Sequence, residues 1–377
     1  SIMIGDTTTG TIDAANYNTG LGVDVFAALT SGDENTAVGT GALGSSTTAS
    51  GNTAVGRNAL LANTTGTRNT ALGYATLDAS TTGDYNTAVG GLALSTNTTA
   101  DNNTGVGFQA LYLNTTGTAN TAVGALSLDA LSADTKGNYS TAIGRAALKT
   151  QNFTSSTSAH NTAVGYGAGE AVTTGTNNTL IGSLAGDAIT TGAANVAVGY
   201  RSLSATTTAS SNTAIGVDAL TSNTTGTSNT AVGRDTLNQQ TTASYNTALG
   251  HQALNLNTSG ANNTASGYRA LYANTTGTRN VAVGTTSLDA NTTANDNTAL
   301  GYDAMSSNTT GQMNVAVGTY AFDANTTGDF NVAVGRVALS TNTTADFNTA
   351  LGYAALEVNT TGTRNTAVGA GGLDSNT

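Results

Sequence analysis

The residues that could perform acid–base or nucleophilic chemistry are few and far apart. His160 and His251 are the only two histidines in the 377 residues, and the chain contains no cysteine. A serine–histidine–carboxylate triad or a histidine-ligated zinc site needs such groups to converge, and the spacing gives no reason for the two histidines to meet. We therefore predict that the protein is not an enzyme and has no catalytic or metal-binding residues.

One stretch has the spacing of a nucleotide-binding loop. The residues from Gly39 to Gly44 read G-T-G-A-L-G, which matches the G-x-G-x-x-G pattern. In a dinucleotide-binding domain this pattern follows a strand and opens a helix within a β-α-β unit, whereas here it is followed by another copy of the segment before it. The sequence also lacks the Gly-Lys pair of a phosphate-binding loop. We predict no cofactor.

The composition excludes several classes of partner. Charged residues make up only 9 % of the chain, and 22 acidic residues against 11 Lys and Arg give a net charge of −11. This balance argues against a nucleic-acid surface, and no apolar run reaches the roughly 20 residues of a membrane-spanning helix. A globular chain normally has about 25 % charged residues. With 47 glycines and no proline, the composition favours a repeat array.

A repeat covers the whole chain. The string Asn-Thr-Ala-Val-Gly or a close variant recurs every 17 residues, with its first residue at Asn35, Asn52, Asn69 and onward to Asn365. Only two units are longer, at 120–139 and 140–160. We therefore predict a single array of 22 units over residues 1–377, and we number repeat positions 1 to 17 from the asparagine. Because the last unit has the ordinary repeat sequence, we expect the chain to be part of a longer one.

Each repeat position has a physical meaning. Position 5 is glycine in all 22 units, as expected where the chain needs a positive φ angle or a close backbone approach. Position 4 is Val, Leu or Ile in nearly every unit and position 9 is usually Leu, so these two positions are expected to supply the apolar core with two alanines per unit. The predicted structural ladders include Gly39, Gly56, Gly73, Val38, Val55 and Leu60.

The pattern predicts an all-β fold. Two apolar positions five apart around a glycine do not form the stripe of a helix, and Thr and Gly are poor helix formers. We predict a parallel β-solenoid or β-roll of about 22 coils, with two short strands per coil at positions 1–4 and 7–10. Coils about 4.8 Å apart would make a rod of roughly 100 Å. The asparagines at position 1, including Asn35, Asn52 and Asn69, are predicted to form a hydrogen-bonded ladder.

The repeat resembles known fibrous proteins. The Asn-Thr-Ala-Val-Gly and Ala-Leu-x-x-Asn-Thr-Thr-Gly strings resemble the head repeats of trimeric autotransporter adhesins. They are closer still to repeats of phage tail-fibre-like proteins that end in an intramolecular chaperone domain. The resemblance implies a left-handed parallel β-roll with three chains about one axis. The 17-residue unit of this chain is longer than the usual adhesin-head coil.

These observations predict a structural fibre or filament segment that associates with itself, located outside the cell, on a cell surface or on a virion. The alternative is an adhesin or tail-fibre tip that binds cell-surface glycans. A third possibility is an ice-binding surface, which threonines at positions 14 and 16 of stacked coils would form. Position 16 is threonine in only some of the 17-residue units, which weakens this third hypothesis.

Two features could form a recognition surface. The longer units insert residues around 133–139 and 151–160, and insertions in adjacent repeats are expected to form one protrusion. The second feature is a set of aromatic residues at positions 6, 10 and 17. Tolerated surface insertions, and aromatic rings buried between coils or chains, are the alternative interpretations. The candidate recognition residues are Lys136, Lys149, Phe153, His160, Tyr200, Tyr268 and Tyr272.

Overall fold

The computed structural model describes residues 2–4, 14–129 and 136–374. Its contacts divide the chain into two compact units, Ser1–Ala194 and Asn195–Thr377. Nearly every coil contributes one three-residue strand at positions 2–4. The strands of the first unit are β1 (Ile2–Ile4), β2 (Thr19–Leu21), β3 (Thr36–Val38), β4 (Thr53–Val55), β5 (Thr70–Leu72), β6 (Thr87–Val89), β7 (Thr104–Val106), β8 (Thr121–Val123), β9 (Gly137–Asn138), β10 (Thr141–Ile143), β11 (Thr157–Ser158), β12 (Thr162–Val164) and β13 (Thr179–Ile181).

The second unit repeats the arrangement without longer coils. Its strands are β14 (Val196–Val198), β15 (Thr213–Ile215), β16 (Thr230–Val232), β17 (Thr247–Leu249), β18 (Thr264–Ser266), β19 (Val281–Val283), β20 (Thr298–Leu300), β21 (Val315–Val317), β22 (Val332–Val334), β23 (Thr349–Leu351) and β24 (Thr366–Val368). The described ranges contain no helix, and therefore none with the length and apolarity to cross a membrane.

Strands of successive coils pair in parallel and in register. In β3 and β4, Thr36 lies opposite Thr53 and Val38 opposite Val55, and the same 17-residue offset relates the strands of the second unit. The predicted parallel β-solenoid with a 17-residue coil is therefore confirmed.

The predicted second strand at positions 7–10 is wrong. This segment forms turns in which positions 7 and 9 are left-handed, as at Asn58 (φ 60°) and Leu60 (φ 52°). The turns still join the coils, because the Asn58 N–H donates to the carbonyl oxygen of Thr40 one coil back (2.9 Å) and the Leu60 N–H to that of Thr76 one coil forward (3.0 Å). Successive coils are therefore hydrogen-bonded to each other at positions 7–10 although the backbone there is not extended.

The core of each coil is narrower than the sequence suggests. Alanines at positions 3 and 8 and the leucine at position 9 are buried, with Leu60 fully inaccessible. The expectation that position 4 belongs to the core is wrong: Val38 is only half-buried and Leu72 is exposed. Since side chains alternate along a strand, the inward Ala37 forces its neighbours Thr36 and Val38 outward.

The glycine at position 5 is required by both backbone conformation and space. Gly39 has a φ of 129°, and a Cβ built on it would lie 2.6 Å from the carbonyl carbon and oxygen of Gly56. Likewise, a Cβ built on Gly56 would lie 2.2 Å from the carbonyl oxygen of Gly73. The prediction of a close backbone approach at this corner is confirmed.

The asparagine ladder at position 1 is also confirmed. Asn52 donates to the Oδ1 of Asn35 from its main-chain nitrogen (3.0 Å) and from Nδ2 (3.1 Å). Its Nδ2 also donates to the carbonyl oxygen of Gly66 in the same coil (2.9 Å), and Asn69 continues the ladder through its main-chain nitrogen (2.9 Å). These fully buried amides need such partners, since an unpaired buried polar group is destabilising.

The two longer coils adapt the ladder. Ser140 stands where other coils have asparagine, and the buried Gln151 supplies the missing amide: its Oε1 accepts a hydrogen bond from the Asn161 Nδ2 (2.9 Å). The inserted segments pair with each other, because β9 and β11 form a separate two-stranded parallel sheet. Residues 130–135 of the first insertion lie outside the described residues.

Candidate functional site

In each of the two units, one side of the coils collects the exposed apolar residues. The strand side chains at positions 2 and 4 point outward, and positions 17 and 6 flank them; we call these four positions the sheet face. Thirty large apolar side chains are exposed among the described residues, and 28 of them occupy the sheet face. The two exceptions are Val358 at position 11 and Leu373 in the final coil. Such concentration is typical of an interaction surface.

The sheet face has a periodic relief. Leu249, Leu300 and Leu351 at position 4 are 51 residues, or three coils, apart and are exposed by 51, 47 and 46 %. Position 4 of the intervening coils is half-buried, for example at Val283 and Val317. From Leu249 to Leu351, larger side chains at position 4 therefore protrude at every third coil. Each of these leucines is accompanied at position 6 of the same coil by a histidine or a tyrosine: His251, Tyr302 and Tyr353.

Aromatic and arginine side chains contact each other along the two margins of the sheet face. At position 17, the rings of Phe330 and Phe347 stack with centroids 5.0 Å apart, and the Arg364 guanidinium lies 5.6 Å from the Phe347 centroid. At position 6 an arginine lies over the tyrosine of the next coil in three places: Arg57 over Tyr74, Arg145 over Tyr166 and Arg336 over Tyr353.

Charge is distributed unevenly around the coil. Seven of the nine arginines lie at positions 6 and 17, and no described coil has a charged residue at position 2 or 4. Only two described acidic residues, Glu34 and Asp296, lie on the sheet face. The Arg279 Nε is 2.6 Å from an Asp296 oxygen, and its hydrogen bond lowers the pKa of Asp296. The sheet face therefore carries excess positive charge on an acidic protein.

Several acidic residues lie away from the sheet face at position 10. Burial raises the pKa of Asp129, Asp289 and Asp323, and each has one buried carboxylate oxygen without a hydrogen-bond partner. These half-buried side chains do not converge: the described residues hold no group of three or more His, Cys, Asp or Glu side chains placed to bind a metal ion.

The predicted recognition tyrosines do not form one site. Tyr200 and Tyr268 lie at position 6 of the sheet face, four coils apart, and both are exposed. The Tyr268 ring is 5.6 Å from that of His251. Tyr272 is at position 10, half-buried, with the Arg269 guanidinium 4.3 Å from its centroid.

The candidate recognition residues Phe153 and His160 of the longer coils differ in their exposure. Phe153 is only 5 % exposed and packs over Gly137, where a Cβ would lie 2.8 Å from its ring, so little of its ring is accessible at the surface. His160 is exposed and stacks on Tyr139 with centroids 5.3 Å apart.

Both lysines of the chain lie in the two longer coils. Lys149 is half-buried at position 10 and its charge opposes the upward pKa shift of Asp129. Lys136 joins the inserted strands: its main-chain nitrogen donates to the Phe153 carbonyl oxygen (3.2 Å) and its own carbonyl oxygen accepts from the Thr157 nitrogen (3.1 Å).

A second regular surface consists of threonines at positions 13 and 14. The Thr47 hydroxyl at position 13 donates to the carbonyl oxygen of Thr64 one coil later (3.1 Å), whereas Thr48 and Thr65 at position 14 are exposed. Position 16 instead supports the backbone, since the Asp84 Oδ1 accepts a hydrogen bond from the Thr67 nitrogen (2.6 Å). The exposed threonines are therefore those at position 14, whereas Thr47 at position 13 and Thr67 at position 16 are half-buried.

The fold and these surfaces place the chain among parallel β-solenoids. Comparisons with protein-family models, with curated proteins and with solved structures found no match.

Proposed function

We propose that the protein is a non-enzymatic structural segment of a fibre or filament, built from stacked β-coils. The observation that carries this proposal is the coil-to-coil bonding on every side of the stack. Main-chain N–H groups at positions 2, 5, 7, 9, 11, 13 and 17 donate to a neighbouring coil, and the position 1 asparagines add a buried ladder. A solenoid unit is stabilised by its neighbours, so length and rigidity increase together.

The setting we propose is extracellular, on a cell surface or on a virion, and we propose that copies of the chain associate. The resemblance of the repeat to adhesin heads and tail-fibre shafts supports this setting and favours a left-handed trimer. Self-association also has a physical reason, because the buried core of a typical coil consists of one leucine and several small side chains. Thin cores commonly gain stability from oligomerisation.

Electron microscopy of negatively stained protein tests the proposal. We expect thin, elongated particles of uniform width. Compact particles would contradict a fibre segment, and incubation with chemically diverse substrates that yields turnover would contradict a purely structural role.

A second candidate function is binding of cell-surface glycans. The exposed tyrosines of the sheet face, next to arginines and His251, favour it because aromatic faces and cationic donors suit sugars. Binding on a glycan array that is lost in Tyr268→Ala and kept in Tyr272→Phe would support it. Binding that survives Tyr200→Ala and Tyr268→Ala together would exclude these residues.

A third candidate, ice binding, is favoured by the exposed threonines at position 14. A thermal-hysteresis assay on the intact protein tests it. Activity that disappears when Thr276, Thr293 and Thr310 are replaced by lysine would support this function, and absence of any activity would exclude it.

A further inference from the structure

We infer that the sheet face is the docking surface for a second copy of this chain. The inference rests on the proposed self-association and adds the surface through which the copies associate. The sequence alone does not identify this surface. The face joins positions 17, 2, 4 and 6 of successive coils and holds 28 of the 30 exposed large apolar side chains of the described residues.

The apolar area is sufficient for a stable complex. The second unit alone places seven aromatic rings on the sheet face: Tyr200, Tyr245, Tyr268, Tyr302, Phe330, Phe347 and Tyr353. A Phe or Tyr side chain has an area of roughly 200 Å², so seven half-exposed rings present about 700 Å². Seven exposed aliphatic side chains and Met313 of the same unit add to this. Stable interfaces bury about 800 Å² per partner.

The composition of the sheet face is that of a protein–protein interface. Such interfaces are enriched in Tyr, Phe, Met and Arg and depleted in Lys, Glu and Asp. The sheet face contains seven arginines and two described acidic residues, and neither Lys136 nor Lys149 belongs to it. Its centre, at positions 2 and 4, has only Thr, Val, Leu, Ile and one Ser among the side chains described. An uncharged centre with arginines at the margins is a core-and-rim arrangement.

The relief of the sheet face indicates what the partner is. Between Leu249 and Leu351 a protruding leucine recurs every three coils, so a partner can stay in close contact over this stretch only if it has the same repeat distance. Packing at interfaces is as dense as in protein interiors, and a mismatch would open gaps that grow along the stack. A second copy has the same coil rise and the same three-coil period.

Single-cysteine variants test the assignment, since the natural chain has no cysteine. Leu300 on the sheet face and Val358 outside it are exposed to the same degree, 47 and 45 %, so Leu300→Cys and Val358→Cys should react equally with a soluble thiol reagent. With a short thiol-to-thiol cross-linker, Leu300→Cys should form covalent dimers and Val358→Cys should not. Equal yields, or dimers only from Val358→Cys, would overturn the inference.

Substitutions that remove apolar surface give an independent measurement. The triple variant Leu249→Thr, Leu300→Thr and Leu351→Thr keeps strand-forming residues at outward positions, so the circular-dichroism spectrum should not change. Its dissociation constant for self-association should rise at least tenfold, whereas Val358→Thr should leave it unchanged. A folded triple variant that associates as tightly as the natural protein would overturn this interface while leaving the proposed self-association intact. A natural chain that remains single at all concentrations would overturn both.

Discussion

The side-chain oxygen of Asn35 accepts two hydrogen bonds from Asn52, one from its main-chain nitrogen and one from its Nδ2. The two residues occupy the same position of adjacent coils, so this relationship fixes the register of the stack from inside the core. A slip of one coil preserves it, whereas a slip of one residue would leave buried amides unpaired. The ladder therefore specifies register more strictly than the apolar core does.

Removing one asparagine from the ladder should destabilise the stack. Asn280 donates to Asn263 Oδ1 and to the Ala294 carbonyl oxygen, and accepts from the Asn297 nitrogen. In Asn280→Ala the last two groups lose a partner, and unpaired buried groups cost about 1–3 kcal/mol each. Urea unfolding should show a clear loss of stability in Asn280→Ala.

The matched control for this change is Thr276→Ala, which removes an exposed side chain at position 14 of an adjacent coil. Its unfolding midpoint should be unchanged within error. If both variants unfold at the same urea concentration, the ladder does not contribute to stability as described.

Replacing the corner glycine should be severe. A Cβ on Gly56 would lie 2.2 Å from the Gly73 carbonyl oxygen at a φ of 138°, and a forced backbone shift of this kind costs more than about 2 kcal/mol. Gly91→Ala is the control, because a Cβ there would meet only the Phe108 ring at 3.8 Å. Thermal melting should separate the two variants by many degrees, and similar melting temperatures would disprove the steric account.

A glycine should be favourable at one position that now has a β-branched residue. Val337 at position 7 has a φ of 53°, where glycine avoids a penalty of about 1–2 kcal/mol and loses part of that gain through its greater freedom in the unfolded chain. Val337→Gly should therefore raise the free energy of unfolding by up to about 1 kcal/mol. Ala338→Gly, at a buried neighbouring position, should lower it. Destabilisation by Val337→Gly larger than that by Ala338→Gly would contradict the left-handed backbone.

Acidic residues inside and outside the coil wall should respond oppositely to pH. Burial raises the pKa of Asp323, so the fold favours the protonated form and this group lowers stability as pH rises from about 3.8 through its raised pKa. Asp323→Asn should thus be stabilising at pH 7 and have no such effect below the unfolded-state pKa.

Asp296 provides the opposite case, because Arg279 lowers its pKa. Asp296→Asn should be destabilising at pH 7, and the difference should vanish as pH falls through the lowered pKa. Urea unfolding at pH 7 and pH 3 measures both variants. Equal pH dependence in the two variants would contradict the assigned environments.

The sequence was sufficient for the solenoid, the glycine corner and the asparagine ladder. These features follow from residue types that tolerate few alternatives: Gly39 has no room for a Cβ, and Asn35 has both a donor and an acceptor. Strict recurrence at 17 residues then fixes which residues stack.

The sequence was not sufficient to predict that the side chain at position 4 points outward. It was also not sufficient to predict that positions 7–10 form turns instead of a second strand. In Thr36–Val38 the small alanine is the inward residue, whereas hydrophobicity alone predicts that the valine points inward. Leu60 adopts a left-handed conformation that leucine does not favour, so propensity pointed to a strand. The missed indication was the alternation itself: in most units Ala lies between Thr or Val at position 2 and Val, Leu or Ile at position 4, which leaves an apolar column outside.

The mass of the protein in solution tests the central claim most directly. Light scattering coupled to size-exclusion chromatography measures it without labels, and one chain has a mass of 37.1 kDa. A structural segment that associates through its sheet face should have a mass that is a whole-number multiple of this value, at least twofold. A mass of one chain at every concentration measured would contradict the account.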